Sequence, residues 1–278
     1  MSTQQPKPAA KPAATEKKSG GISAGLILII LFFISIAIFM FVMGDGSHFE
    51  GGTNEGHPLP GDYFGIVYKG GVIVPVLITC FLTALTFSIE RLLTIGKAKG
   101  TGDVNAFVRS IQASLDKDDT EAAIAACNKQ KGSVGNVTLS AVKKYKQLTG
   151  DKSLDKEQKL AALSKEVEEA TSLELPMLEK NLTIIATLAS VSTLIGLLGT
   201  VIGMIKAFSA LGNSGGSTDS TALANGISEA LVNTALGIGT SAICIIAYNL
   251  FTSRIDELTY CIDEIGLSVN QNYATHHN

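Results

Sequence analysis

One acidic side chain, Glu229, stands inside an apolar run from Leu223 to Phe251 that has no other ionisable group. A charged carboxylate at the centre of a bilayer costs about 2.5–3.5 kcal/mol on insertion scales, so a membrane helix that keeps one has a use for it by default. The chemistry a lone carboxyl can do there is to take up and release a proton or an ion. The bland alternative is a structural hydrogen bond, or a position at the headgroups. Two hydroxyls are placed to assist. Counting inward from the loop at 212–221, Thr200 lies roughly 16 Å and Thr234 roughly 18 Å along their helices, so they are level, whereas Glu229 lies roughly 10 Å in, about a turn further out. Thr234 is five residues from Glu229, about 140° around a regular helix, so the two do not share a face. A carboxyl and two hydroxyls are enough for a proton path through water. They are few for a substrate site.

These residues sit on two of four apolar segments. Of 278 residues 46% are hydrophobic and only 17% charged, against about 25% charged in soluble domains. The deficit comes from long uncharged runs, which predict an all-α, multi-pass membrane protein. Membrane helices are expected at 22–43, 66–93, 181–211 and 222–251. Each is long enough to cross roughly 30 Å of hydrocarbon. Residues 1–21, rich in Pro, Ala, Lys and Ser, predict a disordered basic tail, and the run after it an uncleaved anchor rather than a signal peptide. Residues 44–65 form a polar, Gly-rich linker. Its His48 and His57 stand among acids, where solvated loop histidines are expected rather than a metal site. Pro75 is expected to kink the second helix.

Residues 94–180 carry helical periodicity. Val104, Phe107, Val108, Ile111 and Leu115 mark one amphipathic helix, and 120–131, 134–148 and 153–175 read as three more. Pro176 is expected to break the chain before the membrane. A short loop at 212–221 makes the last two helices antiparallel neighbours, and a polar tail is expected over 252–278. With both termini in the cytoplasm, Lys7 to Lys18, Arg91 to Lys180 and Arg254 fall inside. Lys69 and Lys206 fall outside, where they are expected to snorkel.

Small and polar residues line the last two helices at three- and four-residue steps: Thr193, Gly196, Thr200, Gly203 and Ala207 on one, Gly226, Ala230, Asn233, Gly237, Ser241 and Cys244 on the other. Such stripes let helix backbones approach closely in lipid. Thr193, Gly196, Gly203, Gly226, Asn233 and Gly237 are therefore expected to pack the pair or line a pore. GIGTSA at Gly237 follows no strand, so a dinucleotide site is rejected. No nucleophile is spaced against a base, so neither an enzyme nor a cofactor is expected. A net charge of −3 gives no reason to expect nucleic acid. The four cysteines include no CxxC, which fits reduced thiols.

LIGLLGTVIGMIKAF at Leu194 to Phe208 and GISEALVNTALGI at Gly226, with AYN ending at Asn249, resemble the MotA/TolQ/ExbB proton-channel family, most closely its ExbB side. The resemblance covers about 68–258. It implies that Glu229, Thr200 and Thr234 line a proton channel. It also implies a pentameric ring around an ExbD-like single-span partner whose helix supplies an aspartate, working on a TonB-like protein in the inner membrane. Members often carry proline at the positions of Thr193 and Ile243, so helix bending is expected to differ here. The helix at 22–43 is additional to the simplest ExbB pattern of three crossings. A passive scaffold that holds a partner helix, with Glu229 as a specificity hydrogen bond, fits the same residues. So does a TolQ-like, gliding or export role.

Overall fold

The computed structural model describes residues 24–213 and 220–276. The basic segment expected at 1–21 and the centre of the loop expected at 212–221 lie outside them. Among the described residues the chain is helical, with a single isolated bridge, Phe49 to Pro58, and no strand. Four helices are long and apolar enough to cross a membrane.

The first is α1 (Ala24–Ala37), which continues as a π-helical turn over Ile38–Met43. It packs on the second crossing, where the Ser35 and Thr79 hydroxyls meet at 2.7 Å, and exposes most of its apolar side chains. A compact cap follows. Asp62 accepts from the Phe64 and Gly65 amides and so starts the short α2 (Tyr63–Tyr68), an N-cap that satisfies otherwise unpaired donors. Tyr68 stacks on Phe39 at 4.6 Å. Lys69 Nζ donates to the carbonyls of Asn54 and Glu55 at 3.0 and 3.2 Å. His48 is not a free loop histidine as expected: its Nδ1 lies 2.7 Å from Asp62 Oδ2.

The second crossing does not run unbroken from residue 66. The chain turns at Gly70 and Gly71, the latter at φ +77°, and only then enters α3 (Val74–Ala98). Pro75 does not kink this helix. It occupies the first turn, where the missing N–H has no intrahelical acceptor to lose.

Four helices build the bundle beyond α3: α4 (Val104–Leu115), α5 (Thr120–Gln130), α6 (Gly132–Gly150) and α7 (Lys156–Glu179). Asp103, Asp119 and Asp155 cap three of them, the last through a reciprocal box with Gln158, as expected where Asp precedes an apolar run. The stripe of α4 is buried as its spacing predicts. Pro176 does not break α7, which continues to Glu179. The turn instead comes at Asn181, with φ +66°. A side chain from another helix secures this joint. Arg91 of α3 is 1% exposed and donates through Nη1 to the carbonyls of Met177 and Leu178, both at 3.0 Å. Its Nε holds Glu90 at 2.6 Å. A buried guanidinium is tolerated because its donors are met this way.

Then come α8 (Leu182–Asn213) and α9 (Ser220–His276). The polar stretch expected over 252–278 is helical as far as residue 276, the last one described. Over 252–276 the helix runs on into the bundle and buries Ile255, Leu258, Ile262, Ile265, Val269 and Tyr273. The three- and four-residue steps between these residues are a helical signal diluted by the intervening polar positions. Tyr145 of α6 meets Tyr273 edge-on at 4.9 Å and donates to Asn272 Oδ1 at 2.9 Å.

Candidate functional site in the α8–α9 pair

The two helices touch backbone to backbone because glycine faces glycine. A Cβ added at Gly237 would lie 2.6 Å from the Ser192 carbonyl oxygen and 2.8 Å from Gly196 Cα. One at Gly203 would lie 2.8 Å from the Gly226 carbonyl oxygen, and one at Gly226 would meet Ala207 at 2.7 Å. Gly196, Gly203, Gly226 and Gly237 are thus the seam. Gly199 joins them, since a Cβ there would meet the Asn233 side chain at 2.5 Å. Thr193 is exposed, two turns before Thr200 on α8.

At one level of the seam, Thr200 and Thr234 hydrogen-bond each other. Thr200 Oγ1 also lies 3.3 Å from the Gly196 carbonyl oxygen and Thr234 Oγ1 3.2 Å from that of Ala230, so while one hydroxyl donates across the pair the other is free to donate to its own helix. A hydroxyl both donates and accepts, so such a pair can pass a proton by rotation. On its outer side Thr200 opens on a groove of about 590 Å³ that runs along α8 past Val201, Met204, Ile205 and Phe208.

Glu229 lies nearer the loop and is 9% exposed. The helix break of the second crossing packs against it: a Cβ on Gly71 would sit 2.5 Å from Glu229 Oε1. Asn233, one turn further in and fully buried, donates through Nδ2 to the Gly70 carbonyl at 2.8 Å. That bond fixes the break, and with it the wall beside the carboxylate. Glu229 has an ionic partner. Lys206 Nζ of α8 lies 2.5 Å from Oε1. Pro58, Lys69 and Ser228 line a pocket of about 390 Å³ that opens from this pair.

The three residues expected to act together therefore fall into two groups. Thr200 and Thr234 are joined, while Glu229 bonds Lys206 and, among the described residues, neither threonine. Lys206 does more than snorkel. The level count that pairs Thr200 with Thr234 brings it within a turn of the carboxylate, because Lys206 is about 7 Å and Glu229 about 10 Å from the loop. The Asn233–Gly70 bond had no such signal, since it joins residues 163 apart. No group of three or more His, Cys, Asp or Glu that could hold a metal occurs among the described residues.

The profile of the MotA/TolQ/ExbB proton channel family matches residues 131–264, which include the whole seam, the hydroxyl pair and Glu229. Among relatives, an ExbB-like biopolymer transport protein of Synechocystis sp. is 40% identical over 90 residues, 31% of this chain and 42% of that protein. The Tol-Pal system protein TolQ of Pseudomonas aeruginosa is 32% identical over 125 residues, 45% of this chain and 54% of its own length. The biopolymer transport protein ExbB of Helicobacter pylori is 42% identical over 82 residues, 30% of this chain and 56% of its own. The chain spans about half the length of the curated relatives it matches. The family region begins at residue 131, so α1, the cap and α3 lie before it, although the cap and the α3 break line the Glu229 pocket.

Proposed function

We propose that this chain is the channel-forming stator subunit of a proton-driven motor in the bacterial inner membrane. It forms a ring, expected to be a pentamer, around an ExbD-like single-span partner that carries a membrane aspartate, and it energises a TonB-like protein. Both termini and the α4–α7 bundle face the cytoplasm, which places most Lys and Arg residues inside. The observation that carries the reading is a nearly buried carboxyl, Glu229, about a turn from a hydroxyl pair on a family-matched helix seam. Glu229 loads and unloads the proton, and Thr200 and Thr234 hydrate or relay it. Each charge that crosses 100 mV yields about 2.3 kcal/mol, so several protons drive one mechanical cycle.

The test is Glu229→Gln in the full chain, co-expressed with its partner. Proton flux into vesicles and energised uptake are expected to fall to background while the complex still assembles. Persisting flux would refute the reading and favour a passive scaffold, in which glutamine keeps the hydrogen bond. The TolQ of P. aeruginosa aligns over 125 residues, which supports a Tol-type role as the second reading. Co-purification with a Tol-type or a TonB-type protein separates the two.

A further inference from the structure

The Glu229 pocket holds an arrangement that the proton path does not itself require. Lys206 Nζ sits 2.5 Å from Oε1, and the Lys206 side chain is 51% exposed while that of Glu229 is 11% exposed. The ammonium thus reaches from the pocket onto a carboxylate walled by the Gly71 backbone. A second positive charge stands at the mouth. Lys69 lines the same pocket and is tied down by the Asn54 and Glu55 carbonyls and by the Phe49 ring, 5.3 Å from Nζ. Among the described residues, the charged groups that line this pocket with Glu229 are Lys206 from α8 and Lys69 from the end of α2, and none of them is a second carboxylate.

We propose that Lys206 makes this site selective for protons, because its ammonium occupies the place on Glu229 that a metal cation would need. The inference rests on Glu229 being the proton site. A hard metal cation binds through several oxygens at once. Here it would have to expel the ammonium, gather its ligands beside one carboxylate, and stay near two positive charges. A proton has none of these requirements. It leaves a water of the pocket and forms one O–H bond on the carboxylate. Glu229 becomes a neutral acid, and Lys206, still an ammonium, swings into the pocket that it lines. Loss of the proton lets the ammonium return. Lys206 is thus a reversible plug that only the smallest cation can displace without taking its seat.

A hydrophobic carbodiimide, which reacts with neutral carboxyl groups, tests this in membrane vesicles holding the full chain and its partner. The readout is the rate at which the Glu229 adduct forms, followed by mass spectrometry. Wild type is expected to label at the same rate in ~150 mM sodium chloride as in choline chloride, a match of ionic strength that leaves screening unchanged. In Lys206→Met, sodium is expected to slow labelling several-fold, and Lys206→Arg is expected to behave as wild type. Should Lys206→Met not accumulate, Lys206→Gln serves in its place. Equal rates in the two salts for the uncharged variant, or sodium protection in wild type, would overturn the proposal. Flux that persists in Glu229→Gln would instead defeat the proton-site reading, a separate result from the labelling.

Discussion

The two halves of α9 are packed by opposite means. From Gly226 to Ser241 its buried residues are small or polar, namely Gly226, Glu229, Ala230, Asn233, Gly237, Thr240 and Ser241, while Leu231 and Ile238 are exposed. From Phe251 to Tyr273 the buried residues are large apart from Gly266, and the exposed ones are mostly charged or polar. Lipid tails are as apolar as leucine, so burying a leucine between membrane helices gains little, and close backbone contact decides the packing. In water the gain scales with apolar area removed, at about 25 cal/mol per Å², so large side chains decide it. One continuous helix changes its rule of association where the solvent changes.

That contrast can be broken most strongly at the seam. Gly237→Leu would drive a side chain into the Ser192 carbonyl and Gly196 backbone, which cannot yield as a side chain can. The α8–α9 pair should fail to form, and the chain should not accumulate in membranes. Gly266→Ala, in the other half, would meet the Val167 side chain, its Cγ1 at 2.8 Å and its Cγ2 and Cβ at 3.6 and 3.7 Å, and no backbone atom among the nearest three. It should accumulate as wild type, and blotting of membrane fractions compares the two. Next in size, Ile262→Ala removes a residue 2% exposed in the bundle. It should destabilise the bundle by about 2–5 kcal/mol, read as a lower thermal midpoint of the purified complex. Equal effects of Gly266→Ala and Gly237→Leu would end the distinction between the halves.

The smallest expected effect concerns the cap that overhangs the Glu229 pocket. The hydrogen bond from His48, then the Gly65 amide, hold the Asp62 carboxyl below its usual range. A group whose folded value is depressed stabilises above its unfolded value, about 3.9, and loses that contribution as pH falls through the folded value. The cap should therefore open only under strong acid. Hydrogen exchange of residues 45–69 should rise as pH drops below that range, after correction for the intrinsic pH dependence of exchange. Asp62→Asn should remove the acid-dependent component.

Much of the architecture was legible in the chain. Four apolar runs, the stripe of α4 and the glycine spacing of α8 and α9 each follow from local period and composition. The misplaced boundaries have local causes as well. Pro75 reads as a kink and Pro176 as a break or bend, but one lies in a first turn and the other ahead of a helix end that Arg91 secures. The stretch at 252–278 reads as a polar tail because its charged residues mask a buried face that emerges against α4, α6 and α7. The site was half legible: the isolation of Glu229 and the level of the two threonines are arithmetic along a helix.

Sequence alone determined that a single carboxyl would lie in the last membrane helix, and that glycines would let a neighbouring helix approach it. Only the tertiary structure decided that Lys206 holds that carboxyl, that Asn233 ties down the break at Gly70, and that Gly199 packs on Asn233. The reason is that helical period sets which residues share a face, while the rotation and offset between two helices set which faces meet. Those two quantities come from backbone contacts at Gly196, Gly203 and Gly237, summed along the whole pair rather than written at any one position.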